Sequence, residues 1–223
     1  MDIVVDLWGK YACFCPPYAK VDRMSYPVPT PSAIRGILDS IYCKPLEFFW
    51  QVRKIEIMKP VRYETCRRNE VNKVMSCRTR KIDTIDVSDS VNRAMRTTSF
   101  LFDVRYRITA RIIPRPGWEH WRISLEDQAI RRIRKGQCFR QPYFGIREFT
   151  CHFAPADMSA EPVHMDAAYG LMPYDMFAPW TGPGSPFQLS LFDCVVKDGV
   201  IDVPDAGSGS VIKMPAMNGG GKP

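Results

Sequence analysis

At 223 residues, 45% hydrophobic and 25% charged, the chain is long enough for one large domain or two small ones, and its composition is that of an ordinary globular protein. No apolar run of about 18 residues offers a membrane span, and the start, MDIVVDLWGK, lacks the layout of a secretory signal, so a cytoplasmic protein with no membrane partner is expected. The net charge of +7 is uneven: residues 62–147 carry 20 Lys/Arg against 9 Asp/Glu, whereas residues 148–223 carry 3 against 9, and so basic a block points to a polyanion, nucleic acid first.

Residues 2–14 open as a strand, with Ile3, Val5 and Leu7 on one side and Asp2, Val4 and Asp6 on the other, until Pro16-Pro17 stops it. Cys13 and Cys15 end that strand as a CxC. The chain has eight cysteines but no CxxC pair, and its histidines, at 120, 152 and 164, lie far from the CxC in sequence. The expectation is reduced, mostly buried thiols, with no metal and no cofactor. Residues 18–29 are an extended, proline-bearing loop.

Thr30-Pro31 opens a helix, with Thr30 as N-cap and Pro31 where a missing N–H costs nothing. Ile34, Ile37, Leu38 and Ile41 keep the spacing of one buried face, and Gly36 predicts close packing against backbone. Tyr42 falls in the last turn and Pro45 ends the helix, so Tyr42 and Lys44 sit together where it leaves the core. Two strands follow, at 50–58 and 61–65, interrupted at Pro60. Residues 66–97 are polar and weakly patterned, and predict a long basic insertion, a hairpin being one form of it.

Residues 99–113 alternate most cleanly. Phe100, Phe102, Val104, Tyr106, Ile108, Ala110 and Ile112 face one way, while Arg105, Arg107 and Arg111 give the other side a cationic face or an ordinary solvated one. After Pro114, Pro116 and Gly117, a second helix is predicted over Ser124–Arg134, with Ser124 and Asp127 as a capping box and Leu125, Ala129, Ile130 and Ile133 as the apolar side. Arg131, Arg132, Arg134 and Lys135 crowd its last turn beyond what a helix dipole needs, and Gly136 closes it. The stretch 131–149, RRIRKGQCFRQPYFGIREF, then mixes cations and aromatics around glycines, a mixture suited to phosphates and unstacked bases.

A strand over 146–153 is expected next, then irregular chain over 154–186. A hairpin over 187–196 and 200–203 turns at Lys197-Asp198-Gly199, and the tail from Asp205 reads as disordered. The order of elements is compatible with an α+β, ferredoxin-like (RRM-like) βαββαβ core with a basic insertion. On this reading residues 1–153 form the RNA-binding domain, 154–204 an added small antiparallel sheet and 205–223 the tail.

YACF (11–14), KVDRMSYPVPTPSAIRGILDSIYCKP (20–45), RRNEV (67–71) and RRIRKGQCFRQPYFGIREF (131–149) together resemble the subtype I-C (Dvulg-type) Cas family 5 proteins of CRISPR systems, of the RAMP superfamily. The hairpin ending DGVIDVP (198–204) is similar to the family's C-terminal strand. The resemblance implies an RNA-binding subunit that cleaves precursor CRISPR RNA at the base of the repeat hairpin. It would then stay on the 5′ handle in the interference (Cascade) complex, beside backbone and large subunits. It also implies a metal-independent reaction, in which a 2′-hydroxyl attacks the neighbouring phosphate to leave a 2′,3′-cyclic phosphate and a 5′-hydroxyl. The alternative is a subunit that caps the 5′ handle and assembles without cutting.

By the same resemblance the catalytic tyrosine before a Lys-Pro is Tyr42, with Lys44 as its cation. A phenol titrates near 10, so as a base it would need neighbouring cations to lower it, and otherwise it orients the 2′-hydroxyl. The family's Lys-His pair is absent. Glu119-His120 is the nearest match, which makes His120 the candidate proton donor. Candidate RNA contacts are Arg23 and Tyr26 in the proline loop and Arg67, Arg68 and Asn69 in the insertion. Lys135, Gln137, Phe139, Arg140, Tyr143, Phe144 and Arg147 continue them in the glycine-centred stretch, where Phe139 and Phe144 equally fit the core.

Overall fold

The computed structural model describes residues 1–19, 21–73, 85–182 and 187–215. It is a mixed α/β protein of mostly antiparallel sheets with few helices. The strands of the larger sheet are β1 (Asp2–Ala12), β2 (Arg23–Met24), β3 (Phe48–Ile57), β4 (Tyr63–Val71), β5 (Arg93–Pro114) and β6 (His152–Pro155). Helix α1 (Pro31–Ile41) lies between β2 and β3, and α2 (Arg122–Arg134) between β5 and β6. A smaller sheet holds β7 (Ala167–Phe177) and β8 (Phe187–Val196), β9 (Val200–Asp202) returns to the larger one, and β10 (Ile212–Lys213) joins β8.

The larger sheet runs in the order β6-β1-β5-β3-β9, each pairing antiparallel. β5 is its axis. It pairs with β1 from Asp2↔Arg111 to Ala12↔Leu101, with β3 on its other edge, and near its start with β4, from Tyr63↔Leu101 to Val71↔Arg93. The arms of the basic insertion are thus a two-stranded hairpin growing out of the central strand; residues 74–84 of that insertion lie outside the described residues.

The alternation of β5 buries Phe100, Val104, Tyr106, Ile108, Ala110 and Ile112 against Ile3, Val5 and Leu7 of β1. Its arginine side is not an open cationic face. Arg107 sits opposite both Asp6 and Glu56, is 3% exposed, and donates to the carbonyls of Asp157 and Ala160. Arg105 reaches Asp6, and Arg111 donates to Asp2 at 2.8 Å. Acidic residues of the neighbouring strands cancel this stripe, and the chain after β6 covers part of it.

Thr30 caps α1 as expected, its hydroxyl accepting from the Ala33 N–H at 3.2 Å, and Ile34, Ile37, Leu38 and Ile41 are buried. Gly36 does not pack against backbone: a Cβ there would meet nothing within 4 Å. Helix α2 starts at Arg122, not Ser124, and makes no capping box. The Glu119 carboxylate instead accepts from the Gly117 N–H at 2.8 Å, and a 3-10 turn at Glu119–Trp121 feeds the helix.

Four further expectations change. Strand pairing resumes at His152, later than 146. Residues 154–186 are not wholly irregular, because β7 occupies 167–177; as an edge strand with register shifts around Gly170 and Pro173, it tolerates residues that disguise it in sequence. The turn at 197–199 is present, with Gly199 at φ +74°, but it makes only the bridge Lys197↔Val200 before β9 leaves to pair with β3. The tail is ordered as far as β10, and residues 216–223 lie outside the described part. Among the described residues no helix is long and apolar enough to cross a membrane.

Candidate nucleic-acid interface

The glycine-centred stretch is held at three places. Gly136, at φ +62°, ends α2, and the N–H groups of Phe139 and Arg140 both donate to the Ser40 carbonyl near the end of α1, at 2.9 and 3.1 Å. Phe144 is then driven into the core. It is 0% exposed, with the rings of Phe14 and Tyr106 each 6.0 Å away, and its carbonyl accepts from the Cys13 N–H at 3.0 Å. Gly145 follows at φ +79°, where a Cβ would stand 1.9 Å from the Cys13 carbonyl oxygen, so no other residue fits without moving the chain at Cys13. Finally Phe149 packs on Tyr11 and Phe100.

The expectation that Phe144 stacks on bases is therefore corrected: it anchors the loop. Phe139, at 76% exposure, is the ring left to solvent. Lys135, Gln137, Arg140 and Arg147 are exposed and Tyr143 is half-buried. Arg68 on β4 pairs with Glu148, which ties the hairpin to the loop, while Arg67 and Asn69 are exposed. Arg23, paired with β5 through β2, lies 3.8 Å from Glu70 of the hairpin.

Between this loop, the proline loop and the outer side of α1 run two cavities of about 230 and 240 Å³ that share Ala33 and Gly145. Tyr26 lines one; Gly36, Ser40, Arg140 and Tyr143 line the other. The bare Gly36 and Ala33 leave a groove along the helix, with a phenol lining each cavity and a guanidinium beside one of them. That combination suits a single strand, its phosphates on cations and its bases on rings. Gly36 mattered for the reverse of the expected reason: it opens space.

Tyr42 caps α1 and is 2% exposed. Its hydroxyl donates to Gln128 Oε1 of α2 at 2.5 Å, its ring lies 5.1 Å from Phe48, and the Arg132 guanidinium stands 5.5 Å over the ring. Burial raises its phenol above the ordinary value; Lys44 and Arg132 pull the other way and lose. The cations thus do not turn Tyr42 into a ready base. Lys44 donates to Glu47 at 2.8 Å, and that bond, more than the nearby Tyr42, raises its own ammonium.

His120 is exposed on the 3-10 turn, its ring 5.4 Å from that of Trp121. Eight residues separate it from Gln128, about 12 Å along a helix, and no hydrogen bond among the described residues joins it to the Tyr42 hydroxyl. Sequence reasoning missed Gln128 and Arg132, the actual neighbours of Tyr42. Their i, i+4 spacing beside the apolar stripe of α2 was the available signal. Arg132 also donates to the Ile41 carbonyl, which accounts for one of the crowded cations.

The fold is one found among CRISPR-associated proteins. A solved structure titled "Crystal Structure of CRISPR-associated Protein" has a TM-score of 0.65 at 23% identity, covering 95% of this chain and 96% of that one. The functionally uncharacterized protein SMU1763c from Streptococcus mutans matches with the same score at 22% identity, over 95% of this chain and 97% of that one. The family Cas_Cas5d, described as CRISPR-associated protein (Cas_Cas5), matches residues 2–216, and the chain belongs to it. Two relatives are each named "CRISPR pre-crRNA endoribonuclease Cas5d". The one from Mannheimia succiniciproducens is 37% identical over 91% of this chain and 94% of its own length. The one from Thermus thermophilus is 38% identical over 90% of each.

Proposed function

We propose that this chain is a pre-crRNA endoribonuclease that grips repeat RNA in the groove along α1 and remains on the 5′ handle within an interference complex. The observation that carries the reading is near-complete coverage by two relatives so named. The βαββαβ unit is ferredoxin-like on this reading, which the antiparallel order β6-β1-β5-β3 supports. Residues 1–153 are its RNA-binding unit and 154–204 the added part, although β9 lends an edge to the first sheet.

The proposed reaction needs no metal: a 2′-hydroxyl attacks the adjacent phosphate. Because burial keeps the Tyr42 phenol protonated, its part is to orient the 2′-hydroxyl or donate to the phosphorane, with Lys44 supplying charge. His120 would protonate the leaving 5′-oxygen once RNA bridges the gap. Arg23, Arg67, Arg68, Asn69, Lys135, Gln137, Arg140 and Arg147 hold the backbone, and Tyr26, Tyr143 and Phe139 the bases.

The test is labelled repeat RNA in EDTA. One cut by wild type, and none by Tyr42→Phe, supports the nuclease. Intact RNA at saturating protein supports a handle-capping subunit that docks to backbone and large subunits, a second reading favoured by the engaged Tyr42 hydroxyl.

A further inference from the structure

Cys13 and Cys15 follow β1 directly, on the wall of the groove. Their Sγ atoms lie 3.3 Å apart, and a disulfide needs about 2.05 Å, so a shift of little more than about 1 Å would join them. Cys15 is exposed and Cys13 buried, an attacking thiol beside a sheltered resolving one. The hydrogen bond from Cys13, with the nearby charge of Arg23, pulls the Cys15 thiol down to about 7, which favours the reactive thiolate near neutrality.

We propose that Cys13 and Cys15 are a thiol-modification site, closing to an intramolecular disulfide under mild peroxide and narrowing the Tyr26 end of the groove against single-stranded RNA. In the first step the Cys15 thiolate attacks hydrogen peroxide. One O–O bond breaks, Cys15 becomes a sulfenic acid and hydroxide leaves. In the second, the Cys13 thiol, giving up its proton, displaces the sulfenic oxygen as water, and the S–S bond forms. Two thiols are oxidised and one peroxide is reduced.

The groove has reason to feel this step. Both cysteines line the 230 Å³ cavity with Tyr26, Ala33 and Gly145. The Cys13 backbone is fixed to the glycine-centred loop, its N–H on the Phe144 carbonyl and its own carbonyl against Gly145. Pulling Cys13 towards Cys15 therefore strains the seam between β1 and the loop.

The disulfide is independent of what the protein does; the effect on RNA rests on the proposed function. The full chain is reduced, treated with equimolar hydrogen peroxide, blocked with iodoacetamide and digested. In parallel, the affinity for fluorescent single-stranded repeat RNA is measured before and after peroxide, for wild type and Cys15→Ser. The expected product is an unalkylated peptide bearing both cysteines, lighter by two hydrogens and restored by dithiothreitol. RNA affinity should fall by about tenfold, the loss of one base–ring stack, in wild type but not in the variant. If both cysteines remain alkylable at peroxide levels that already oxidise the exposed Cys43, the disulfide is overturned. A mapped disulfide with unchanged affinity overturns the effect on the groove. Reduced wild type that binds no repeat RNA refutes the proposed function, and the mapping still decides the disulfide.

Discussion

The Tyr42 hydroxyl is bonded to the Gln128 amide oxygen at 2.5 Å, so the residue that caps one helix is fixed by the middle of the other. The ring is held separately, by Phe48 and Arg132. Tyr42→Phe should therefore keep the packing and lose only the hydroxyl. Cleavage in EDTA should fall by at least about 100-fold, the lower range for loss of a positioned proton-transfer group, while repeat-RNA affinity stays within error. An unchanged single-turnover rate would remove Tyr42 from the reaction.

Alkaline pH should unfold the protein from the inside. Burial holds Tyr42, Tyr106 and Tyr174 as neutral phenols, above the ordinary value of 10.0. The unfolded chain releases those protons first, so the stabilisation is full below about pH 10 and is lost as pH rises beyond it. Burial also raises the Cys151 and Cys194 thiols above their ordinary value of 9.0, so urea midpoints should begin to fall near pH 9 and drop further by pH 11, the later drop less steep in Tyr42→Phe.

Phe139 and Phe144 should separate binding from folding. Phe139→Ala should weaken RNA binding by about 1–3 kcal/mol with an unchanged urea midpoint. Phe144→Ala should cost about 3–5 kcal/mol of stability through the cavity it leaves among Phe14 and Tyr106. Equal RNA loss from both, with no change in stability, would contradict the anchor.

Lys135→Ala and Arg140→Ala should each weaken RNA binding across sequences. Each should reduce the slope of log affinity against log salt by about 0.7, as expected for one single-strand phosphate contact. A slope equal to wild type would take that residue off the phosphate path.

Local rules made much of this legible. Thr30-Pro31 announced α1, and alternation announced β5 and most of its buried side, although Asp103, at φ +53°, breaks the pattern so that Leu101 and not Phe102 is buried. What stayed hidden depended on register and on chain distant in sequence. The arginines of β5 read as a cationic face because nothing local says that Asp6 and Glu56 will stand opposite Arg107. Phe139 and Phe144 share a stretch and a residue type, and only the contact between Cys13 and the loop decides which one is buried. Strand β7 was masked by Gly170 and Pro173, and the start of α2 by a turn that Glu119 caps from outside the expected helix. In the site, the composition of the loop was informative, but the partner of Tyr42 was not, since Gln128 lies 86 residues away.

Strand β5 is 22 residues long, roughly 70 Å if fully extended, and belongs to both the core and the basic hairpin. One irregularity marks the passage between the two roles: Asp103, at φ +53°, lies between Leu101, the last residue paired with β4, and Tyr106, the first paired with β3. The hairpin is a cantilever whose root is the middle of the sheet. A load on its arms passes Asp103 at that root and is carried as shear by the ladders to β1 and β3, into the platform on which α1 and α2 rest.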